Sequence, residues 1–341
     1  MTKSNVLLIG TGGVGTIVAY GIDYVGKANL SVVVRRDYSK VIESGWDLNS
    51  CDYGEIKGWK PQNIYPNVEA AKQDGSSNIY DYVIVTTKNL PDITKIEELI
   101  EPVVTPKKTT IVLIQNGFDI GRPFIKKYPQ NVVISGVSHI GSHNHHGVIT
   151  QTQNDKTLIS YFENPNLSKE HQEAVTKDFI SIYKNDKNTC TYFPDAKWYR
   201  YRKLVYNASL NTVAALTGVD TGRLELSGGL EAISIPAMKE VISIAKADGV
   251  ELPGDVINLV VHSDDGDWFE PSMRVDVKKG NPIELEVILG NLLVVADELK
   301  VSAPTLKILY ELLKVVQFKL KEGQGLISLP AKRPINDKVY S

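Results

Sequence analysis

Cysteine is nearly absent. Cys51 and Cys190 are the only two in 341 residues, too few for a disulfide framework or a zinc site, and a pair of reduced thiols suits the cytosol. Long apolar runs are missing too: no stretch approaches the roughly 20 residues that span a bilayer, and the first apolar run is too short for a signal peptide. Val339-Tyr340-Ser341 matches no peroxisomal or retention signal. Neither sign of charge dominates. The 38 Lys and Arg against 40 Asp and Glu leave a net charge of −2 with no basic block, which argues against nucleic acid and against a membrane surface as partners. There is no repeat and no low-complexity tract, and the 16 Tyr are spread along the chain as packing residues. The cytoplasm is the expected location.

What remains is an ordinary globular composition, 42% hydrophobic and 23% charged, in a chain too long for a single core. Short β-branched apolar runs at residues 6–9, 30–34, 82–86, 110–114 and 132–137 read as buried parallel strands. Helix-length segments between them predict βαβ units and a doubly wound sheet. From about residue 195 the apolar spacing becomes helical. The predicted helices are 196–216, closed by Gly218; 230–248, kinked near Pro236; one from Pro282 to about Lys300; and 305–321, with Leu306, Leu309, Leu312, Leu313 and Val316 on one stripe. Residues beyond about Gln324 read as a loose tail. The expected fold is α/β, with a Rossmann-type doubly wound domain over 1–195 and an all-helical domain over 196–341 that completes the active site.

Gly10-Thr11-Gly12-Gly13-Val14-Gly15 follows the first strand and opens a helix. The first glycine of such a G-x-G-x-x-G permits a tight turn, the second lets the backbone approach a pyrophosphate, and the third lets helix and strand pack closely. The free N–H groups of the helix N-terminus favour the phosphates. At the end of the second strand an NAD site wants Asp or Glu, but this chain has Arg35-Arg36, two guanidiniums able to clamp a 2′-phosphate. NADPH is therefore the expected cofactor, with Asp37 the competing ribose ligand should the strand end later. Lys88 and Asn116 follow the third and fourth strands, where a ligand would be touched; each alone could be a solvated loop residue.

Lys203, Asn207 and Asn211 fall at i, i+4 and i+8, on one face of a continuous helix. Asn is a poor interior helix former, so the row is either a solvated polar stripe or faces a substrate. A ketone that accepts hydride leaves an alkoxide, which a desolvated ammonium would stabilise and protonate. Glu284 and Glu286 are the carboxylates that could hold that ammonium, with two solvated first-turn carboxylates as the bland alternative. Ser272 is a substrate-carboxylate ligand or a helix cap. His143, His145 and His146 read as a hydrophilic loop, with no metal expected. Asp264-Asp265-Gly266-Asp267 reads as an exposed turn, lacking the closing Glu of a calcium loop.

In this order the residues resemble the ketopantoate reductase family over nearly the whole chain. The resemblance rests on Gly10 to Gly15, the Arg after strand two, Thr86-Thr87-Lys88, Gln115-Asn116-Gly117, the segment Gly136 to Ser142, Arg202-Lys203 with Asn207 and Asn211, Ser272-Met273, and Glu284. It implies NADPH-dependent reduction of 2-dehydropantoate (ketopantoate) to pantoate, in pantothenate biosynthesis. By the same implication Lys203 donates the proton and Glu284 orients it or touches the cofactor. Asn116 lies between nucleotide and substrate, Asn207, Asn211 and Ser272 hold the substrate, and Ser142 lies near the nicotinamide. The long polar stretch from Gly45 to Asn78, the segment His139 to His146, and Thr212 in place of a proline depart from the pattern. The alternatives are a reductase of another 2-oxo acid or bulky ketone, or a non-catalytic NADPH-binding sensor. The expected partners are a small-molecule 2-oxo acid and, as an assembly the sequence leaves open, a homodimer.

Overall fold

In the computed structural model the described residues are 3–73, 79–336 and 338. The chain divides into two compact units, Met1–Tyr201 and Arg202–Ser341, so the division falls inside the helix Ala196–Asn207.

The first unit is an α/β domain. Its strands are β1 (Ser4–Ile9), β2 (Ala28–Val33), β3 (Trp46–Ser50), β4 (Gly54–Trp59), β5 (Asn63–Tyr65) and β6 (Tyr82–Val85), followed by β7 (Thr110–Ile114), β8 (Val133–His139), β9 (Ser142–His145), β10 (Val148–Gln151), β11 (Lys156–Tyr161) and β12 (Thr189–Tyr192). Eight of them form one sheet in the order β12-β11-β8-β7-β6-β1-β2-β5. From β5 to β8 every pairing is parallel, and only β8–β11 is antiparallel. The apolar runs read from the sequence are buried on both faces, with Val6, Leu7, Leu8, Val83, Ile84, Ile111, Val112 and Leu113 fully enclosed. That double burial makes a parallel strand a continuous hydrophobic run. Beyond β1 the chain turns to β2 on one side and returns as β6 on the other, the switch point where such sheets bind ligands.

The polar stretch from Gly45 contains more order than its composition implied. Strands β3 and β4 form a hairpin, β3 pairs in parallel with β10, and β9 completes a second, four-stranded sheet. Trp46 is fully buried and stacks on Trp59 with ring centroids 5.4 Å apart; Tyr20 and Tyr53 close the cluster. The end of that stretch, 74–78, lies outside the described residues.

The second unit is helical, and three sequence expectations need correction there. The helix expected over 196–216 is two, Ala196–Asn207 and Leu210–Thr217. Ser209 leaves helical geometry (φ −119°, ψ −83°) because hydroxyls compete for the backbone: Ser209 Oγ donates to the Val205 carbonyl, and Thr212 Oγ1 to those of Ala208 and Ser209. Just before Pro236 the second helix carries a π turn over Leu230–Ser234, in which the Ile235 N–H reaches back five residues to Leu230. Pro282 stands outside its helix, which begins with another π turn, Glu286–Gly290, and continues as Asn291–Glu298. The Ile283 peptide just after Pro282 is instead taken by the buried Gln317 side chain, which accepts from its N–H at 2.9 Å and donates to its C=O at 3.1 Å. Finally, the last helix, Pro304–Gly323, buries Leu306, Leu309, Leu313, Gln317 and Leu320. Leu312 is 51% exposed, since it lies about 100° round the helix from Leu313. Residues 324–336 carry neither helix nor strand. Among the described residues no helix is long and apolar enough to cross a membrane.

Candidate active site

The three glycines of the first turn meet three different demands. Gly10 adopts φ +106°, and a Cβ there would lie 2.6 Å from the Thr87 nitrogen. A Cβ on Gly15 would lie 1.9 Å from the Gly10 carbonyl oxygen, which Thr86 Oγ1 holds by a hydrogen bond. Gly12 is exposed, with nothing within 4 Å of a Cβ position, so its backbone stays open to an approaching ligand. Gly13 has another role: its missing Cβ would stand 2.3 Å from the Ser142 carbonyl oxygen. The β9–β10 hairpin therefore rests directly on the N-terminus of the helix Gly13–Val25. Thr11 and Val14 are half-buried in the same turn.

This hairpin turns through His146 and Gly147, both at positive φ, the requirement of a two-residue primed turn. His143 and His145 are exposed, and Asn144 between them is half-buried because side chains alternate along a strand. Asn144 uses its whole amide: Oδ1 accepts from the Gly147 N–H, while Nδ2 donates to the Thr11 carbonyl and to Asp37 Oδ2, each at 3.0 Å. Ser142 Oγ is buried with no hydrogen-bond partner, an orphan hydroxyl beside the glycine turn. Arg35 and Arg36 are exposed after β2. A dinucleotide fits this donor set: an open glycine backbone at a helix N-terminus, an orphan hydroxyl and two unscreened guanidiniums.

Lys88 is exposed in the loop after β6, and Asn116 half-buried in the neighbouring loop after β7. These loops are tied together from behind. Gln115 Nε2 donates to the Thr87 carbonyl at 2.6 Å. Arg200 is 3% exposed and donates through Nη1 to the carbonyls of Gln115 and Gly117, at 3.1 and 2.7 Å, and through Nε to Ser135 Oγ at 2.9 Å. Its guanidinium lies 4.8 Å from the Phe162 ring centroid. Burial pulls the Arg200 pKa down to about 9, with the Asp119 charge opposing the shift, still leaving the group charged near neutrality.

In the second unit Lys203 is half-buried and Asn207 buried, one turn apart on the same helix. Asn211 lies past the Ser209 break, so the row of three does not run along a single straight helix. Asn211 is 1% exposed; its Oδ1 accepts from the Met273 N–H at 2.8 Å and its Nδ2 donates to Ser272 Oγ at 3.3 Å. Two residues singled out separately in the sequence thus meet. Ser272 is the first residue of the helix Ser272–Lys278, whose N-cap position is Pro271. Of the two carboxylates, Glu284 is buried and its carbonyl accepts from the Ile288 N–H, whereas Glu286 accepts from the Tyr310 hydroxyl. Asp264 is half-buried and accepts from the Tyr206 hydroxyl, and burial raises its pKa.

Asn144, Gln115, Arg200 and Gln317 were missed in the sequence. Asn144 reads as one more polar residue of a His-rich loop, and Arg200 as one more cation near Lys197, Arg202 and Lys203. The alternation of β9 was the one signal that could have set Asn144 apart.

Two family models match the chain: the ketopantoate reductase PanE/ApbA model over residues 6–164, and that of the ketopantoate reductase PanE/ApbA C terminal over residues 195–317. An uncharacterized protein of Saccharomyces cerevisiae is 38% identical over 96% of this chain and 98% of its own length. A crystal structure of a 2-dehydropantoate 2-reductase from Methylococcus capsulatus superposes with a TM-score of 0.78 at 27% identity, covering 93% of this chain and 97% of that one. A D-mandelate dehydrogenase solved with NADH and anilino(oxo)acetate shares the fold at 17% identity and a TM-score of 0.77, over 93% of this chain and 99% of its own.

Proposed function

The chain belongs to the ketopantoate reductase family, and from that premise we propose that it is a reductase of a 2-oxo acid that uses NADPH, with 2-dehydropantoate the favoured substrate and pantoate the product. The first unit would hold the nucleotide through Gly10 to Gly15, Arg35, Arg36, Lys88, Asn116 and Ser142; the bound cofactor supplies the hydride. The second unit carries the remaining chemistry. The Lys203 ammonium hydrogen-bonds the carbonyl oxygen, stabilises the negative charge that develops there and gives up a proton to it. Glu284, buried at 8% exposure, orients that ammonium. Asn207, Asn211 and Ser272 hold the substrate, the Asn211–Ser272 hydrogen bond fixing one against the other.

The observation that carries this reading is burial. A solvated polar stripe would be exposed, but Asn207 and Asn211 are 8% and 1% exposed. Buried amides need partners: that of Asn211 finds them in Met273 and Ser272 and so fixes Ser272, and Asn207 is suited to bind a polar ligand. A non-catalytic nucleotide sensor would require neither the lysine nor the buried glutamate. The test is turnover of NADPH with ketopantoate in Lys203 variants. Lys203→Ala is expected to lower kcat by about 10²–10⁴ with NADPH affinity nearly unchanged, the usual range for a positioned acid. Lys203→Arg keeps the charge but donates poorly and should also fall well below wild type. Near-normal turnover in either variant refutes the assignment.

The other reading that an observation favours is a different 2-oxo acid, because the fold also serves a D-mandelate dehydrogenase. A panel of 2-oxo acids at fixed NADPH separates the two. A homodimer belongs to the same proposal. Ile308, Leu312, Val315 and Phe318 are 47–69% exposed on one helix, an apolar row of the kind a second copy covers.

A further inference from the structure

Asp37, next to Arg36, carries a charge that opposes the NADPH reading. A carboxylate immediately after Arg36 could accept from a ribose hydroxyl, as in NAD sites, or could pair with the arginines and cancel them. Among the described residues no ion pair joins Asp37 to Arg35 or Arg36, and its Oδ2 accepts from Asn144 Nδ2 at 3.0 Å. The same amide nitrogen donates to the Thr11 carbonyl inside the glycine turn, and the amide oxygen is fixed by the Gly147 N–H. With its three bonds made, Asn144 has one orientation available, and that orientation points a donor at Asp37.

We propose that Asn144 is a nucleotide-specificity residue: by engaging the Asp37 carboxylate it leaves Arg35 and Arg36 uncompensated for a 2′-phosphate and withholds Asp37 from a ribose hydroxyl. The inference rests on the NADPH reading and adds to it a determinant on a different element, the β9–β10 hairpin. Without Asn144, Asp37 swings free, repels a 2′-phosphate and offers an acceptor to the ribose of NADH. The effect therefore runs through Asp37 and vanishes when Asp37 is absent.

The test is a double-mutant cycle read as Kd for NADPH and for NADH, by fluorescence titration of the full chain, with circular dichroism to establish folding. Asn144→Ala is expected to lower the NADPH-over-NADH preference by about tenfold, the worth of one hydrogen bond to a charged group. Asp37→Ala alone should keep the wild-type preference or raise it. The double variant should return close to wild type. It carries the same hairpin lesion as Asn144→Ala, so any difference between the two belongs to Asp37. A folded Asn144→Ala whose preference stays within about twofold of wild type, or a double variant no better than Asn144→Ala, overturns the proposal. A wild-type protein that prefers NADH overturns the NADPH reading and this inference with it, so the two failures are told apart by the wild-type ratio.

Discussion

Replacing Arg200 with lysine keeps a cation in the same place and removes its fork, which makes Arg200→Lys a sharp probe of the loop that carries Asn116. The guanidinium makes three hydrogen bonds, to Ser135 Oγ and to the Gln115 and Gly117 carbonyls, from a site 3% exposed. One ammonium on a shorter stem cannot satisfy all three. At least one buried carbonyl is left bare, at about 1–3 kcal/mol, and a charge-assisted bond of about 1.5–3 kcal/mol is lost. Relaxation and easier deprotonation of a buried lysine return part of this, so a net loss of roughly 3 kcal/mol is expected. In a domain of this size about 1 kcal/mol moves the melting temperature by roughly 2–4 °C, predicting a fall of about 6–12 °C. Thermal melts followed by circular dichroism measure it. A steady-state comparison should show a raised KM as well, because the backbone on both sides of Asn116 has lost its anchor. A melting temperature within about 2 °C of wild type, with unchanged kinetics, would refute the idea that Arg200 secures this loop.

Arg36→Ala should weaken NADPH by roughly 1–3 kcal/mol more than NADH, as expected for a charge-assisted phosphate contact; equal losses in paired binding titrations would remove the arginine from phosphate recognition. Asp155 is 1% exposed, accepts from Tyr183 and Thr157, and has its pKa raised by burial. A raised acid binds its proton more tightly in the folded chain, so its presence costs stability as pH rises through the unfolded carboxylate value towards the folded one. Asp155→Asn should therefore gain on wild type as pH rises above the ordinary carboxylate range in thermal melts, and a pH-independent difference would contradict that origin. Leu312→Glu, on the exposed apolar row, should shift a dimer towards monomer in analytical ultracentrifugation without lowering the melting temperature of the monomer; an unchanged mass distribution would put the contact elsewhere.

The parts of this protein legible in its sequence are those where backbone geometry dictates residue type. Strands β1, β6 and β7 are buried on both faces and so are written as unbroken apolar runs. Gly10 and Gly15 are glycine because a Cβ would collide with backbone at 2.6 and 1.9 Å. The breaks were harder. Nothing in Ala208-Ser209 resembles a helix stop, since serine and threonine are tolerated within helices; the interruption comes from where three hydroxyl bonds go. Leu312 is apolar yet exposed, and a periodicity argument counts it with the core. The β3–β4 hairpin hides in a stretch whose mean composition is polar, because Trp46 and Leu48 supply its core face while β4 lies mostly exposed.

The residues missed beside the site share a physical reason. Asn144, Gln115, Arg200 and Gln317 each bond to a main-chain carbonyl next to a residue with a proposed role: Thr11, Thr87, the two neighbours of Asn116, and Ile283 before Glu284. A main-chain carbonyl has the same chemistry at every position, so no residue type at the receiving end announces the contact. A salt bridge or a metal site writes both of its partners into the sequence; an amide or guanidinium that holds backbone writes only one. Such side chains are buried polar groups whose loss leaves the carbonyl unsatisfied, and their effect reaches the neighbouring side chain through one rigid peptide. Gln317 shows the consequence most directly. It takes both the N–H and the C=O of Ile283, fixing the peptide from which Glu284 follows, even though the two residues lie far apart in sequence.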